Sequence, residues 1–264
     1  MKEIATLCFL LMLGAPLRAQ QDVSMLPEPA QAGENGYVKG ALIYALEGRP
    51  TPECHASTLV ETPSGILAAW FGGSHERNKD VGIWISHLGE EGWSSPVEVA
   101  NGIQDETLRY PCWNPVLFQP RKGPLMLYYK VGPNPREWWG EVMISEDQGK
   151  SWSDSRKLGT SRMGHLIGPV KNKPVQLNDG SILCPSSTEA IEEGRELAWK
   201  VHFELTRDLG RTWQVIGPIN DGIGFDAIQP SILFHTDGKM QILCRTRQGV
   251  ISQSWSDDGG QTWD

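Results

Sequence analysis

Long hydrophobic runs are nearly absent from this 264-residue chain. The one continuous apolar stretch, Ile4 to Leu13, is too short to cross a bilayer. Positive charge is also scarce. There are 24 Lys and Arg against 32 Asp and Glu, no basic run exceeds two residues, and the net charge is −8. This balance argues against nucleic acid and anionic membrane as partners. Cysteine is sparse, and Cys54, Cys112, Cys184 and Cys244 are the residues that lie beyond the amino-terminal segment. Their spacing is too wide for a zinc pattern. Each sits in or beside a strand-like run, so buried thiols are the expectation. There is no His-Glu-x-x-His, no Gly-rich phosphate loop and no Ser nucleophile elbow. A metal or other cofactor therefore has no support in the sequence.

Glycine and tryptophan are abundant, at 29 and 11 residues, which suits a turn-rich β protein better than a helical one. Both occur together in one repeated motif, Ser/Thr-x-Asp-x-Gly-x-Ser/Thr-Trp. It occurs at Ser145–Trp152, Thr206–Trp213 and Ser256–Trp263. A degenerate copy, Ser86–Trp93, has Leu88 for the Asp and Glu90 for the Gly. The Asp carboxylate can accept hydrogen bonds from backbone N–H groups just ahead of it. The Gly can take a positive φ. The Trp buries a large surface right after the turn.

Around each copy the chain has the same grammar. A short strand, a Gly turn and a second strand precede a variable loop, and a third strand then enters the motif. The Gly turns are Pro63-Ser64-Gly65, Arg121-Lys122-Gly123, Asn178-Asp179-Gly180 and Thr236-Asp237-Gly238. The closing residues Trp93, Trp152, Trp213 and Trp263 are 59, 61 and 50 residues apart. One four-stranded antiparallel sheet per unit is the period of a β-propeller blade. An all-β sandwich also has short, regularly spaced strands, but it does not need one turn motif at the same point of every unit.

Residues 1–20 read as a secretory signal, with Lys2 before the apolar core and Leu17-Arg18-Ala19 before a cut ahead of Gln20. Residues 21–36 read as a disordered leader, and residues 37–264 as the propeller. The chain stops one residue past a turn Trp, which reads as a truncated propeller whose remaining blades are missing. Tyr37 to Leu46 then reads as a strand that pairs with the missing last blade. The expected location is outside the cytoplasm, periplasmic or secreted.

The motif copies resemble the Asp-boxes, or BNR repeats, of sialidases. The stretches Glu53-Cys54-His55-Ala56-Ser57-Thr58, Phe71-Gly72-Gly73, Lys130-Val131-Gly132-Pro133-Asn134-Pro135 and Cys244-Arg245-Thr246-Arg247 are similar to a bacterial sialidase-like group. The resemblance implies a six-bladed propeller, with about four blades in this chain. It also implies an exo-glycosidase acting on a glycan that ends in a sugar acid. In such enzymes three arginines hold the carboxylate, an aspartate is the acid/base, and a tyrosine assisted by a glutamate is the nucleophile.

Carried onto this sequence, the first arginine falls on His55, which cannot give a bidentate clamp. The second falls on Arg245, with Arg247 two residues on and so on the same strand face. The assisting glutamate is replaced by Gln229. The third arginine and the tyrosine would lie beyond Asp264. The acid/base should lie in Gly73–Asp80, where Glu76 is the first choice and Asp80 the second. Lys130 and Lys171 are candidates to add positive charge at the central face, and Glu189 to face the pocket. The plainer readings are a hydrogen-bonded His55 near the axis and a salt-bridged Glu76 or Asp80 on a solvated loop. For Arg245 or Arg247 the plainer reading is pairing with an acid. For Trp113, Trp138 and Trp139 it is core packing in place of sugar stacking. A different sugar, or carbohydrate binding without catalysis, are the alternative functions on the same fold.

Overall fold

The computed structural model describes residue 31, residues 33–192 and residues 195–264. The expected signal and residues 21–30 of the leader lie outside the described residues. The chain divides into two units between Ala41 and Leu42. The described part of the first holds short turns, with the Glu34 N–H on the Gln31 carbonyl and the Tyr37 N–H on the Glu34 carbonyl, both at 3.1 Å. The strand expected over Tyr37 to Leu46 does not form. That segment runs into a single 3-10 turn, Leu46–Gly48, and finds no strand to pair with among the described residues.

Four antiparallel sheets follow one another along the second unit. The first contains β1 (Glu53–Thr62), β2 (Gly65–Gly73), β3 (Gly82–Gly89), β4 (Gly92–Trp93) and β5 (Val97–Ala100). The second contains β6 (Cys112–Phe118), β7 (Leu125–Val131), β8 (Trp139–Ser145) and β9 (Arg156–Lys157). A small hairpin of β10 (Thr160–Ser161) and β11 (Gly164–His165) leads to the third sheet. That sheet is β12 (Val175–Gln176), β13 (Ile182–Glu192), β14 (Arg195–Thr206) and β15 (Gln214–Ile216), and the fourth is β16 (Ala227–Phe234), β17 (Met240–Thr246) and β18 (Ile251–Ser256). β13 runs well past Cys184, where the apolar run ends. Pro185 stays in register opposite Phe203, and its carbonyl accepts from the Val170 N–H at 3.0 Å.

The cores decide the architecture. Leu67, Ile83, Leu117 and Leu127 pack between the first and second sheets. Tyr128, Val142 and Ile182 pack between the second and third, and Phe203, Leu205, Met240 and Ile242 between the third and fourth. A sandwich has one core between two sheets. Here each inner sheet serves two cores, which is the stacking of propeller blades. β7 shows the consequence, since every residue from Leu125 to Val131 is buried. A strand covered on both faces loses the apolar–polar alternation.

The repeated motif builds the same turn in three blades. In the third blade, Asp208 accepts from Thr206 Oγ1 at 3.0 Å, from the Arg211 and Thr212 N–H groups at 3.0 and 2.8 Å, and from Thr212 Oγ1 at 2.7 Å. Asp258 and Asp147 are held in like manner. The residue before each Gly also takes positive φ: Gln148 at 68°, Leu209 at 57° and Gly259 at 73°. The turn tryptophans reach back onto the preceding blade. Trp263 stacks on Phe203 with ring centroids 4.7 Å apart, and Trp213 meets Tyr128 edge-on at 6.4 Å. The degenerate copy, lacking the Asp, folds as the β3–β4 hairpin, with Gly89 paired to Gly92 and the Ser86 hydroxyl on the Ser94 carbonyl at 2.7 Å.

The first strands share a bulge. Register shifts occur at His55/Thr58, Trp113/Val116 and Ile228/Ser231, with positive φ at Ala56, Asn114 and Gln229. In the third blade Asn172, at the matching point, donates to the Gln229 and Pro230 carbonyls at 2.8 and 3.1 Å. The Lys173 ammonium donates to the Leu117 carbonyl at 2.7 Å and reaches Thr58 Oγ1 at 3.4 Å, tying three blades together.

Candidate functional site

Strand order fixes where a site can form. The Asp turns, and the degenerate turn of the first blade, follow the third strand of their blades. The loops that join second and third strands therefore lie at the opposite end of every sheet, beside the start of each first strand. These loops border a cleft of about 580 Å³. Arg77 comes from the first blade, Asn134 and Arg136 from the second, Glu189 and Leu197 from the third, and Arg247 from the fourth. A second cavity of about 400 Å³ shares Arg136 and Glu189 with the first. It continues past Trp138, Met163, His165, Thr188 and Lys200.

The cleft is strongly cationic. The guanidinium groups of Arg77 and Arg136 make no hydrogen bond or ion pair among the described residues. Arg247 is more firmly placed, with Nη1 on the Leu197 carbonyl at 3.2 Å and 3.9 Å from the Asp226 carboxylate. Arg245 and Arg247 lie over the Trp199 ring, at 5.2 and 5.8 Å from its centroid. Glu189 is half-buried beneath these groups. Burial raises its pKa, against the opposing pull of the Trp199 indole and of Arg245, Arg136 and Arg77. The indole contact is a long one, since the Trp199 N–H reaches no acceptor at hydrogen-bond distance.

The structure brings some of the expected residues together and not others. Arg247 lines the cleft, and Arg245 lies beside it over the Trp199 ring. His55 is exposed at the same end of its blade, stacked on Phe71 at 5.6 Å, and its Nδ1 accepts from the Ala56 N–H at 2.6 Å. Glu76 is half-buried and does not line either cavity; its main-chain N–H donates to Glu53 at 3.3 Å. Both carboxylate oxygens of Asp80 are taken by Ser74, from its N–H at 2.8 Å and its hydroxyl at 2.9 Å, so this side chain closes its own loop. Gln229 sits at the bulge with its N–H on the Ser187 hydroxyl at 3.3 Å, and Lys171 is half-buried beside Asn172.

Lys130 requires a correction. It is 0 % exposed and donates to the Asn114 and Pro169 carbonyls, so its charge does not face a ligand. Burial lowers its pKa to about 7. Trp113 and Trp138 are core residues, in edge-on contact at 5.9 Å, whereas Trp139 is half-buried against Tyr110 and His165. The four cysteines among the described residues are free thiols, and Cys54 is exposed, unlike the other three. Sequence reasoning singled out neither Arg136 nor Arg77 as a binding residue. A signal was present: each arginine follows by four residues a Gly at the end of its second strand, Gly73 or Gly132.

The BNR repeat-like domain family matches residues 64–264. The chain belongs to this family. A structure of a protein of unknown function from Dyadobacter fermentans is similar to this BNR-repeat chain, with a TM-score of 0.64 and 16 % identity over 80 % of this chain and 67 % of the other. A Hadza microbial sialidase gives a TM-score of 0.65 at 16 % identity, covering 81 % of this chain and 46 % of its own. The NanB sialidase of Streptococcus pneumoniae gives 0.63 at 12 % identity, covering 85 % and 53 %. The chain thus spans about half the length of these two sialidases. Identity at this level speaks for the fold. No curated protein matches the sequence.

Proposed function

We propose that this BNR-repeat protein is an exported exo-glycosidase of the sialidase superfamily that removes a terminal acidic sugar from a glycan. The observation that carries the reading is the convergence of Arg77, Arg136 and Arg247, from three blades, on one cleft. Guanidinium groups match a carboxylate with paired N–H donors, a geometry that a neutral sugar does not call for. The likeness to proteins named sialidases supports the reading, as does the amino-terminal segment for export.

The test is hydrolysis of aryl glycosides of sialic acid, glucuronic acid, rhamnose and neutral hexoses. Release from an acidic sugar is expected, and Arg136→Ala should lower kcat/KM about a hundredfold by removing a charge-assisted contact. Release from neutral sugars alone would overturn the acidic specificity. Glycan binding without release from any glycoside would overturn the hydrolase and leave a carbohydrate-binding propeller.

A further inference from the structure

Two cavities meet at one carboxyl group. The first is ringed by arginines. The second is bordered by Trp138, Met163 and Pro218, with Thr188 and His165 as polar groups and Lys200 and the shared Arg136 as charged ones. Glu189 lines both. Glu76 lines neither cavity, and four other carboxylates are engaged elsewhere. Asp80 is tied to Ser74, and Glu53 accepts from the His75 ring at 2.9 Å. Glu204 is buried under the Ile167 and Gly168 N–H groups at 3.1 and 2.7 Å and the His202 ring at 3.1 Å. Glu141 is buried under Tyr129 and Trp139, at 3.0 and 2.8 Å. We infer that Glu189 is the proton donor of a two-lobed cleft, in which the arginine lobe holds the acidic sugar and the Trp138 lobe holds the neutral leaving group. The inference rests on the glycosidase reading above and names the substrate as a glycoside whose aglycone is an uncharged sugar or other alcohol.

The step balances with water as the second reactant. Glu189 gives its proton to the glycosidic oxygen as the bond from that oxygen to the anomeric carbon breaks. The electron pair stays with the oxygen, and the aglycone leaves as an alcohol. Water supplies a hydroxyl to the anomeric carbon, and its remaining proton restores the Glu189 carboxyl. The surroundings favour this role. Arg77, Arg136, Arg245 and Arg247 face Glu189 from three blades, and Lys200 and His165 border the second lobe. The arginines pull the carboxyl toward ionisation when the cleft is empty. A sugar carboxylate paired with them removes part of that pull, so the protonated form is favoured once substrate is bound.

The test compares the full chain with Glu189→Gln and Glu189→Asp on two glycosides of the same acidic sugar, one with a nitrophenyl and one with a methyl aglycone. A nitrophenolate leaves without help, whereas methanol needs a proton. Glu189→Gln should lose about a thousandfold on the methyl glycoside and less than about tenfold on the nitrophenyl glycoside, the range of a lost general acid. The basic limb of the rate profile should vanish in Glu189→Gln and return in Glu189→Asp. In the wild type that limb should lie at higher pH in kcat than in kcat/KM, because only kcat reports the substrate-bound state. Met163→Trp should raise KM about tenfold for a disaccharide substrate and less for the methyl glycoside, whose aglycone fills less of that lobe. Equal losses on both aglycones, with the basic limb kept, would overturn the donor role while the glycosidase reading stands. Absence of turnover by the wild type on every glycoside would overturn the glycosidase reading and the donor role with it.

Discussion

The two ends of the blades hold their carboxylates in opposite ways. At the turn end, Asp147, Asp208 and Asp258 are each surrounded by N–H and O–H donors, and these hydrogen bonds push their pKa values down to about 2. At the cleft end, Glu189 is partly withdrawn from water with few donors of its own, and burial pushes its pKa up. The first arrangement favours the ionised form and fixes a turn. The second leaves a carboxyl able to hold and release a proton. The arginines follow the same contrast. Arg156, which is close to an Asp turn, donates to the Gly210 carbonyl at 2.9 Å, whereas Arg77 and Arg136 at the cleft are left for something else to satisfy. Saturated polar groups mark the structural end, and unsaturated ones the end available to a ligand.

Breaking the turn end should cost stability and spare the cleft. Trp213 sits between the second and third blades against Tyr128, and its indole N–H donates to the Gly210 carbonyl at 3.1 Å. Trp213→Ala is expected to destabilise the protein by about 3 kcal/mol, the lower part of the range for a large core truncation because the ring is only partly buried. Denaturant unfolding measures this, and affinity for an acidic sugar should be unchanged in the folded variant. Breaking the cleft end should do the reverse. Arg77→Ala is expected to weaken binding of an acidic sugar about tenfold, or about 1.4 kcal/mol, with no shift in the unfolding midpoint. Titration calorimetry and thermal melting on one sample check both halves.

A smaller change tests why glycine closes each turn. Gly210 has φ of 81°, and a Cβ there would stand 3.2 Å from the Trp213 ring. Gly210→Ala should cost about 1 kcal/mol through backbone strain and a displaced ring. The same change at Gly180, whose φ is 89° but whose Cβ would meet nothing within 4 Å, should cost less. Unfolding midpoints of the two variants separate crowding from strain.

The turn end was legible in the sequence because its chemistry is local. An Asp that caps the next few N–H groups, a Gly at positive φ and a Trp beyond them are fixed by spacing alone. The strand order followed from that motif and its period. The full length of β13 was not legible, because a Pro such as Pro185 signals an edge or an ending, and only the register opposite Phe203 shows that the strand continues. The cleft was legible in part. Arg245 and Arg247 could be placed from their strand, but their convergence with Arg77 and Arg136 depends on how four blades stack. Lys130 looked equally suited to a ligand. Its place in β7, buried on both faces, turned its ammonium inward to the Asn114 and Pro169 carbonyls. Spacing does not show which side of a strand a neighbouring blade will cover.

The contrast between the two carboxylates becomes sharpest in the sign of their pH effects. Asp208 has a folded pKa below its unfolded value near 3.8. Its contribution is therefore present above about pH 4 and is lost as pH falls through the unfolded value toward 2. Asp208→Asn keeps one acceptor oxygen but cannot accept from the Thr212 hydroxyl at the other position. Its deficit against wild type should appear at neutral pH and shrink between pH 4 and 2. Glu189 is the opposite case, with a folded pKa raised above the model-peptide value of 4.5. The unfolded chain then binds fewer protons than the native one just above that value, so stability falls as pH rises through this window. Glu189→Gln should be no less stable than wild type at neutral pH, with any advantage fading below pH 4. The effects on melting are small, but they differ in sign. Two variants that both lost stability at neutral pH would place Glu189 among the structural carboxylates, and an opposed pair would set the cleft end apart from the turns.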